Sequence, residues 1–156
     1  MIKNKVLFNK PTTVGNEIRN INELNYFSSN GKYSKRCSSW LKKNLKCKDA
    51  LLVNSCTAAL EMCAILINIK PKDEVIMPSY TFVSTANAFA LRGAIPVYVD
   101  INHDNLCLEP DNIVKAITKK TRAIVVVHYA GISPDMDKII RIAKKYKLFV
   151  IEDAAH

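Results

Sequence analysis

The 156-residue sequence contains only four glycines, and no Gly-x-Gly-x-x-Gly pattern follows any of its predicted strands. A Rossmann dinucleotide site depends on those glycines for its tight turn and for close approach of the backbone to a pyrophosphate. The scarcity of glycine therefore argues against a nicotinamide-dependent dehydrogenase.

Long apolar runs are missing as well. The segment from Met1 to Phe8 holds too short an apolar stretch for a secretory signal. No later segment approaches the roughly 18 uninterrupted apolar residues of a membrane-spanning helix. We therefore expect a soluble, cytoplasmic protein without a membrane partner.

Paired cysteines are also lacking. The five cysteines, at positions 37, 47, 56, 63 and 107, are odd in number and show no Cys-x-x-Cys spacing. Neither a disulfide framework nor a zinc site is indicated by this pattern. We expect reduced thiols and no metal site.

Acidic residues are fewer than basic ones, with 14 Asp and Glu against 23 Lys and Arg, giving a formal net charge of +9. The basic residues lie in scattered pairs, such as 42–43, 119–120 and 144–145, each near the end of a predicted helix. Positive charge there complements the helix dipole. The pattern favours solvated helix faces over a nucleic-acid surface.

The sequence has an ordinary globular composition, with 49% apolar and 24% charged residues. Residues 1–30 show no sustained period, and they predict an N-terminal arm with a short helix at about 17–24. The next helix is predicted over residues 34–45, with Trp40, Leu41 and Leu45 buried.

Strands and helices then alternate. Strands are predicted at residues 50–53, 74–77, 95–100, 123–127 and 148–152. Helices are predicted at residues 56–68, 81–91 and 110–118 and from the Ser133-Pro134 pair onward. This alternation predicts an α/β fold with a mostly parallel sheet, helices on both faces, and sites at the carboxyl ends of the strands.

Three of these elements carry further expectations. Pro96 indicates that strand 95–100 begins at the proline or lies near an edge, because proline cannot donate to the ladder. The β-branched run at 123–127 predicts a central strand. Helix 56–68 is apolar on nearly every side, which predicts burial within a larger body.

The start of helix 56–68 is a candidate anion site. Ser55 and Thr57 place hydroxyls beside free backbone N–H groups, where the helix dipole also favours a phosphate. The alternative is an ordinary N-cap. Cys56 could also be a nucleophile of low pKa, with His128 as its base, because helix N-termini stabilise thiolates.

Polar and aromatic residues follow other predicted strands. Phe82 could stack on a flat ring or belong to the core. His128 and Tyr129 could face a ligand or be buried and hydrogen-bonded. Asp153 ends the last strand and must be paired if it is buried, since an unpaired buried carboxylate is too costly.

Four motifs in register carry a family resemblance: SCTAAL at 55–60, PSYTFVSTAN at 78–87, HYAG at 128–131 and EDAAH at 152–156. From about Val6 to His156 the chain resembles the DegT/DnrJ/EryC1/StrS family of pyridoxal-phosphate-dependent sugar aminotransferases. Over residues 73–93 it is most similar to the branch that forms dTDP-4-amino-4,6-dideoxygalactose. The resemblance implies that residues 31–156 are the N-terminal portion of the cofactor-binding large domain of fold type I.

The resemblance also implies roles for single residues. Ser55 and the backbone amides of Cys56 and Thr57, with the Thr57 hydroxyl, would hold the cofactor phosphate. Phe82 would stack on the pyridine ring. Asp153 would pair with the protonated ring nitrogen, and His156 would lie near the 3-hydroxyl. The commoner family pattern has glycine in place of Cys56.

The family reaction moves an amino group, usually from glutamate, to a 4-keto sugar nucleotide in a homodimeric enzyme. One lysine holds the cofactor as a Schiff base, and the resemblance places it beyond His156, as it does the small C-terminal domain. Two hypotheses follow. The chain is the N-terminal part of a working aminotransferase, or it is a non-catalytic binding module of the same fold.

Overall fold

The computed structural model describes residues 12–24 and 31–156. The predicted arm lies largely outside these residues. The chain forms two compact units, Met1–Leu52 and Val53–His156. No helix of the described residues is long and apolar enough to cross a membrane.

The described part of Met1–Leu52 holds two helices, α1 (Glu17–Asn22) and α2 (Lys32–Leu45). The Glu17 carboxylate accepts the amides of Val14 and Gly15, the two residues before the N-cap Asn16, at 2.7 and 2.9 Å. These hydrogen bonds lower the pKa of Glu17, with the bond from Val14 as the largest cause. A cavity of about 850 Å³ is lined by both helices.

The prediction that α2 buries Trp40, Leu41 and Leu45 is wrong. Trp40 is 62% exposed, Leu45 is exposed, Leu41 is half-buried, and α2 has no buried residue. A stripe of apolar residues at helical spacing is buried only where another element packs on it, and spacing alone cannot show whether such an element is present.

Residues 50–53 form neither helix nor strand, so the first predicted strand is wrong. The side chains of Leu51, Leu52 and Val53 are exposed. A short apolar run becomes a strand only when a neighbour takes up its backbone hydrogen bonds. The four-stranded sheet of the structure does not include this segment.

The unit Val53–His156 contains the predicted parallel sheet. Its strands are β1 (Glu74–Pro78), β2 (Ile95–Val99), β3 (Thr121–Val127) and β4 (Phe149–Asp153). They lie in the order β2-β1-β3-β4, and all neighbours are parallel. The order confirms that the strand with Pro96 is an edge strand and that β3 is central.

Helices cover both faces of the sheet, as the sequence predicts. They are α3 (Cys56–Leu66), α4 (Val83–Ala90), α5 (Pro110–Ala116) and α6 (Met136–Tyr146). One face packs on α3 and α4, through a cluster that includes Leu60, Phe89 and Val125. The opposite face forms a second cluster that includes Ile113 and Ile139, from α5 and α6.

Two details differ from the sequence predictions. Helix α6 begins after Asp135, whose carboxylate accepts the amide of Lys138 at 3.0 Å, and not at Ser133-Pro134. The carboxylate provides the side-chain cap that the serine was expected to supply. Helix α3 buries Leu60 and Ala64 but exposes Ile65 and Leu66, so its apolar surface is covered on one side only within the described residues.

Candidate active site

Asp153 lies at the carboxyl end of β4 and is the centre of the candidate site. Its side chain is only 6% exposed. Oδ2 accepts a hydrogen bond from Thr85 Oγ1 at 2.8 Å, and Oδ1 accepts longer ones from Cys56 Sγ at 3.4 Å and the Ala155 amide at 3.3 Å. The buried carboxylate is therefore paired, as its position required.

The first turn of α3 approaches this carboxylate through Cys56. Ser55 caps the helix, because its Oγ accepts the amide of Ala58 at 3.1 Å. The amides of Cys56 and Thr57 donate no hydrogen bond within the described part of the chain, and the Thr57 side chain is exposed. Ser55 is therefore an N-cap, and the unpaired amides of Cys56 and Thr57 beside it remain available to an anion.

The arrangement does not favour Cys56 as a thiolate nucleophile, although the residue is exposed. Burial raises the pKa of its thiol, and the charge of Asp153 and the hydrogen bond to it raise that pKa further. His128 does not serve as its base either, since His128 Nε2 pairs with Glu152 Oε2 at 2.8 Å. Glu152 and Asp153 are successive strand residues, so their side chains point to opposite faces.

Phe82 is the N-cap residue of α4 and is 73% exposed. It therefore does not belong to the core, which was the alternative to a role in stacking. Its carbonyl accepts the amide of Thr85 at 3.1 Å. The exposed ring and the Thr85 hydroxyl that holds Asp153 consequently belong to one helical turn.

A second group of aromatic side chains lies at the same edge of the sheet. The hydroxyls of Tyr80 and Tyr129 are 2.8 Å apart, and this hydrogen bond is the main cause that raises the pKa of Tyr129. The ring of His156 meets Tyr129 edge-on, with centroids 5.2 Å apart. His156 Nδ1 accepts the amide of Ala130 at 3.0 Å, which leaves Nε2 as the remaining polar atom of the ring.

The structure thus places five of the predicted site residues at the carboxyl edge of the sheet, where contacts join them to Asp153, α3, α4 or the aromatic group: Ser55, Cys56, Thr57, Phe82 and His156. It adds Thr85 and Tyr80, to which sequence reasoning gave no role. Thr85 lies inside the motif at 78–87, but Ser84 beside it also carries a hydroxyl, so the sequence held no signal that singled Thr85 out. Among the described residues, no group of three or more His, Cys, Asp or Glu side chains could hold a metal ion.

A parallel sheet covered on both faces, with a paired carboxylate and a free helix N-terminus at its carboxyl edge, is of the class formed by fold type I pyridoxal-phosphate-dependent aminotransferases. Within that class the chain belongs to the DegT/DnrJ/EryC1/StrS aminotransferase family, whose pattern its residues 12–156 match.

Individual relatives agree with this assignment. The chain is 48% identical over 109 residues to the spore coat polysaccharide biosynthesis protein SpsC of Bacillus subtilis, covering 70% of this chain and 28% of that protein. NtdA from Bacillus subtilis, solved with bound cofactor PMP, is 40% identical with a TM-score of 0.77, over 80% of this chain and 28% of NtdA.

The putative sugar aminotransferase Spr1654 from Streptococcus pneumoniae, in its PMP form, has a TM-score of 0.89 and 27% identity, over 97% of this chain and 42% of that one. The 156 residues span about 28% of the length of the curated relatives they match.

The cofactor of this family is pyridoxal phosphate, and the residues of this chain fit it. The start of α3 offers unpaired amides to a phosphate. A carboxylate has about four acceptor positions, and Thr85, Cys56 and Ala155 take up three of them, so Asp153 retains capacity for one more donor. The exposed Phe82 ring is free to contact a flat ligand.

Proposed function

We propose that this protein transfers an amino group from glutamate to a 4-keto-6-deoxy sugar nucleotide, such as dTDP-4-dehydro-6-deoxy-D-glucose, in the synthesis of a cell-surface polysaccharide. The observation that carries the proposal is the buried Asp153 carboxylate, held by Thr85 and Cys56 next to the unpaired amides at the start of α3. The similarity to a spore coat polysaccharide biosynthesis protein supports the pathway.

In this proposal the start of α3 anchors the cofactor. The amides of Cys56 and Thr57 and the Thr57 hydroxyl bind its phosphate, while Ser55 keeps that turn in place through its bond to Ala58. The positive end of the helix dipole adds to the attraction. The turn of α3 that would hold the phosphate is the one that reaches Asp153 through the Cys56 thiol.

Asp153 has the central electrostatic role. When bound, the cofactor supplies an electron sink for the substrate carbon that gains or loses the amino group. Asp153 keeps a proton on the ring nitrogen, because a carboxylate next to that nitrogen favours its cationic form. Phe82 would cover one face of the ring, and His156 would offer Nε2 to the 3-hydroxyl.

The remaining parts of the proposal rest on the family resemblance. The lysine that binds the cofactor is supplied by residues beyond 156, together with the small domain, in a cytoplasmic homodimer. The alternative is a non-catalytic binding module of the same fold.

The test is a chimera in which residues 12–156 replace the corresponding part of the SpsC protein. We expect glutamate-dependent amination of dTDP-4-dehydro-6-deoxy-D-glucose, measured by mass spectrometry of the sugar nucleotide. Asp153→Asn should lower kcat on the order of a hundredfold, comparable to the loss of one catalytic electrostatic contact.

Asp100→Asn is the matched control, because Asp100 is an exposed carboxylate just after β2; it should leave turnover unchanged. Equal turnover in the Asp153→Asn and unsubstituted chimeras would remove Asp153 from the mechanism. A folded chimera that binds pyridoxal phosphate but aminates no sugar nucleotide would favour the binding module.

A further inference from the structure

Thr85 is a polar residue in an otherwise apolar part of the core. It is fully buried on the face of α4 that also buries Ala86, Ala88 and Phe89. A buried hydroxyl in such surroundings is costly unless its hydrogen bonds are made. The Thr85 hydroxyl therefore needs hydrogen-bond partners inside the core.

The partner of Thr85 is the candidate catalytic carboxylate. Thr81 Oγ1 donates to Thr85 Oγ1 at 2.8 Å, and Thr85 Oγ1 donates to Asp153 Oδ2 at 2.8 Å. A hydroxyl has a single proton to donate, so accepting from Thr81 leaves that proton committed to Asp153. The two threonines form a directed chain of hydrogen bonds that ends on the carboxylate.

We propose that Thr85 is a positioning residue that fixes the orientation of the Asp153 carboxylate by holding Oδ2, so that the carboxylate faces the ring nitrogen of the cofactor in one orientation. The contacts of the other oxygen support this role, since Oδ1 accepts from the Ala155 amide at 3.3 Å and from the Cys56 thiol at 3.4 Å, so the fold holds both oxygens of the carboxylate. The inference deepens the proposed function and rests on it.

The hydrogen bond from Thr85 to Asp153 has a second consequence, because Thr85 lies in the first turn of α4. Phe82 and Thr85 are joined by a backbone hydrogen bond of 3.1 Å at the start of α4. A hydroxyl fixed to Asp153 therefore also fixes the turn from which the Phe82 ring projects. The first turn of α4 would therefore set both the contact of Phe82 with the face of a bound ring and the contact of Asp153 with its nitrogen.

The experiment measures the pH midpoint of the absorption change of pyridoxal phosphate bound to the SpsC chimera, together with kcat and KM. Thr85→Val keeps the shape and removes the hydroxyl. We expect the midpoint to rise by roughly one pH unit, because a misoriented Asp153 keeps the ring nitrogen less fully protonated, and a ring with less positive charge raises the pKa of the group whose titration changes the absorption. We also expect kcat to fall with little change in the KM for the sugar nucleotide.

Two variants separate this role from packing. Thr85→Ser restores the hydroxyl and should return the midpoint toward that of the unsubstituted chimera. Thr118→Val is the matched control, since Thr118 also donates its hydroxyl to a carboxylate, that of Glu74, at the amino end of β1. It should leave the midpoint unchanged.

Thr81→Val provides a second measurement if Thr85→Val does not fold, because it removes only the donor to Thr85; it should raise the midpoint by a smaller amount. An unchanged midpoint in the folded variant, in an active chimera, would overturn the role of Thr85 and leave the proposed function standing. An unsubstituted chimera that binds no pyridoxal phosphate would overturn both.

Discussion

At the residue scale, Cys56 illustrates how a local environment overrides a general tendency. A helix N-terminus ordinarily lowers the pKa of a cysteine. Here burial and the adjacent Asp153 raise it, since a thiolate would lie beside a carboxylate in a partly desolvated position. The thiol acts instead as a weak donor to Asp153 Oδ1, which a glycine at this position could not do.

This environment predicts a slow reaction of Cys56 with iodoacetamide at neutral pH. The raised pKa means that little thiolate is present there, and the rate should increase as the pH rises toward that pKa. Asp153→Asn removes the neighbouring charge, so alkylation of Cys56 should become faster at a given pH. Peptide mass spectrometry distinguishes Cys56 from the other four cysteines.

Asp100→Asn serves again as the control and should leave the rate at Cys56 unchanged. Identical alkylation rates in the Asp153→Asn and unsubstituted chains, with both folded, would show that the carboxylate does not control this thiol.

At the scale of the elements, the strands and helices of the unit Val53–His156 could be predicted because their apolar spacing is local information. β1, β3 and β4 lie within a residue or two of their predicted bounds. The segment 50–53 could not be predicted in this way, because a strand also needs a partner. That information is not contained in four apolar residues.

The candidate site shows the same limit. Asp153 was predicted because it ends a strand-like run, and Ser55 was predicted because it begins a helix. Thr85 was missed because its hydroxyl acts on a carboxylate 68 residues further along the chain. Only the fold reveals that the start of α4 and the end of β4 meet.

The start of α3 is the element whose ligand can be tested directly. Inorganic phosphate or pyridoxal phosphate should slow hydrogen exchange at the amides of Cys56 and Thr57, because both donors are unpaired and the dipole attracts an anion. Thr57→Ala should weaken the protection by removing the side-chain donor. Exchange can be followed by NMR.

The amides of Lys138 and Ile139 in the first turn of α6 already donate to Asp135 and provide the internal control. They should show no comparable protection by inorganic phosphate. If phosphate leaves exchange at Cys56 and Thr57 unaltered, the start of α3 is an N-cap only.

At the scale of the whole molecule, the described residues leave apolar surface uncovered. β4 is an edge strand whose Phe149 is exposed, with the Arg122 guanidinium 4.8 Å from its ring centroid. Ile65 and Leu66 of α3 are exposed as well. An open edge and exposed apolar side chains favour association, and these 156 residues span about 28% of the length of the curated relatives they match.

The last prediction is that a polypeptide of these 156 residues does not transaminate by itself. Catalysis needs an amine held over the cofactor, and such positioning is worth on the order of 7–11 kcal/mol. Among the described residues, no lysine forms a hydrogen bond or ion pair with Asp153, Phe82 or His156. Incubation with pyridoxal phosphate followed by borohydride should therefore label surface lysines at scattered sites, whereas the SpsC chimera should be labelled at one. A stoichiometric label on a single lysine of the 156-residue chain, accompanied by glutamate-dependent amination of a dTDP-4-keto-6-deoxyhexose, would show that one of its own lysines completes the site.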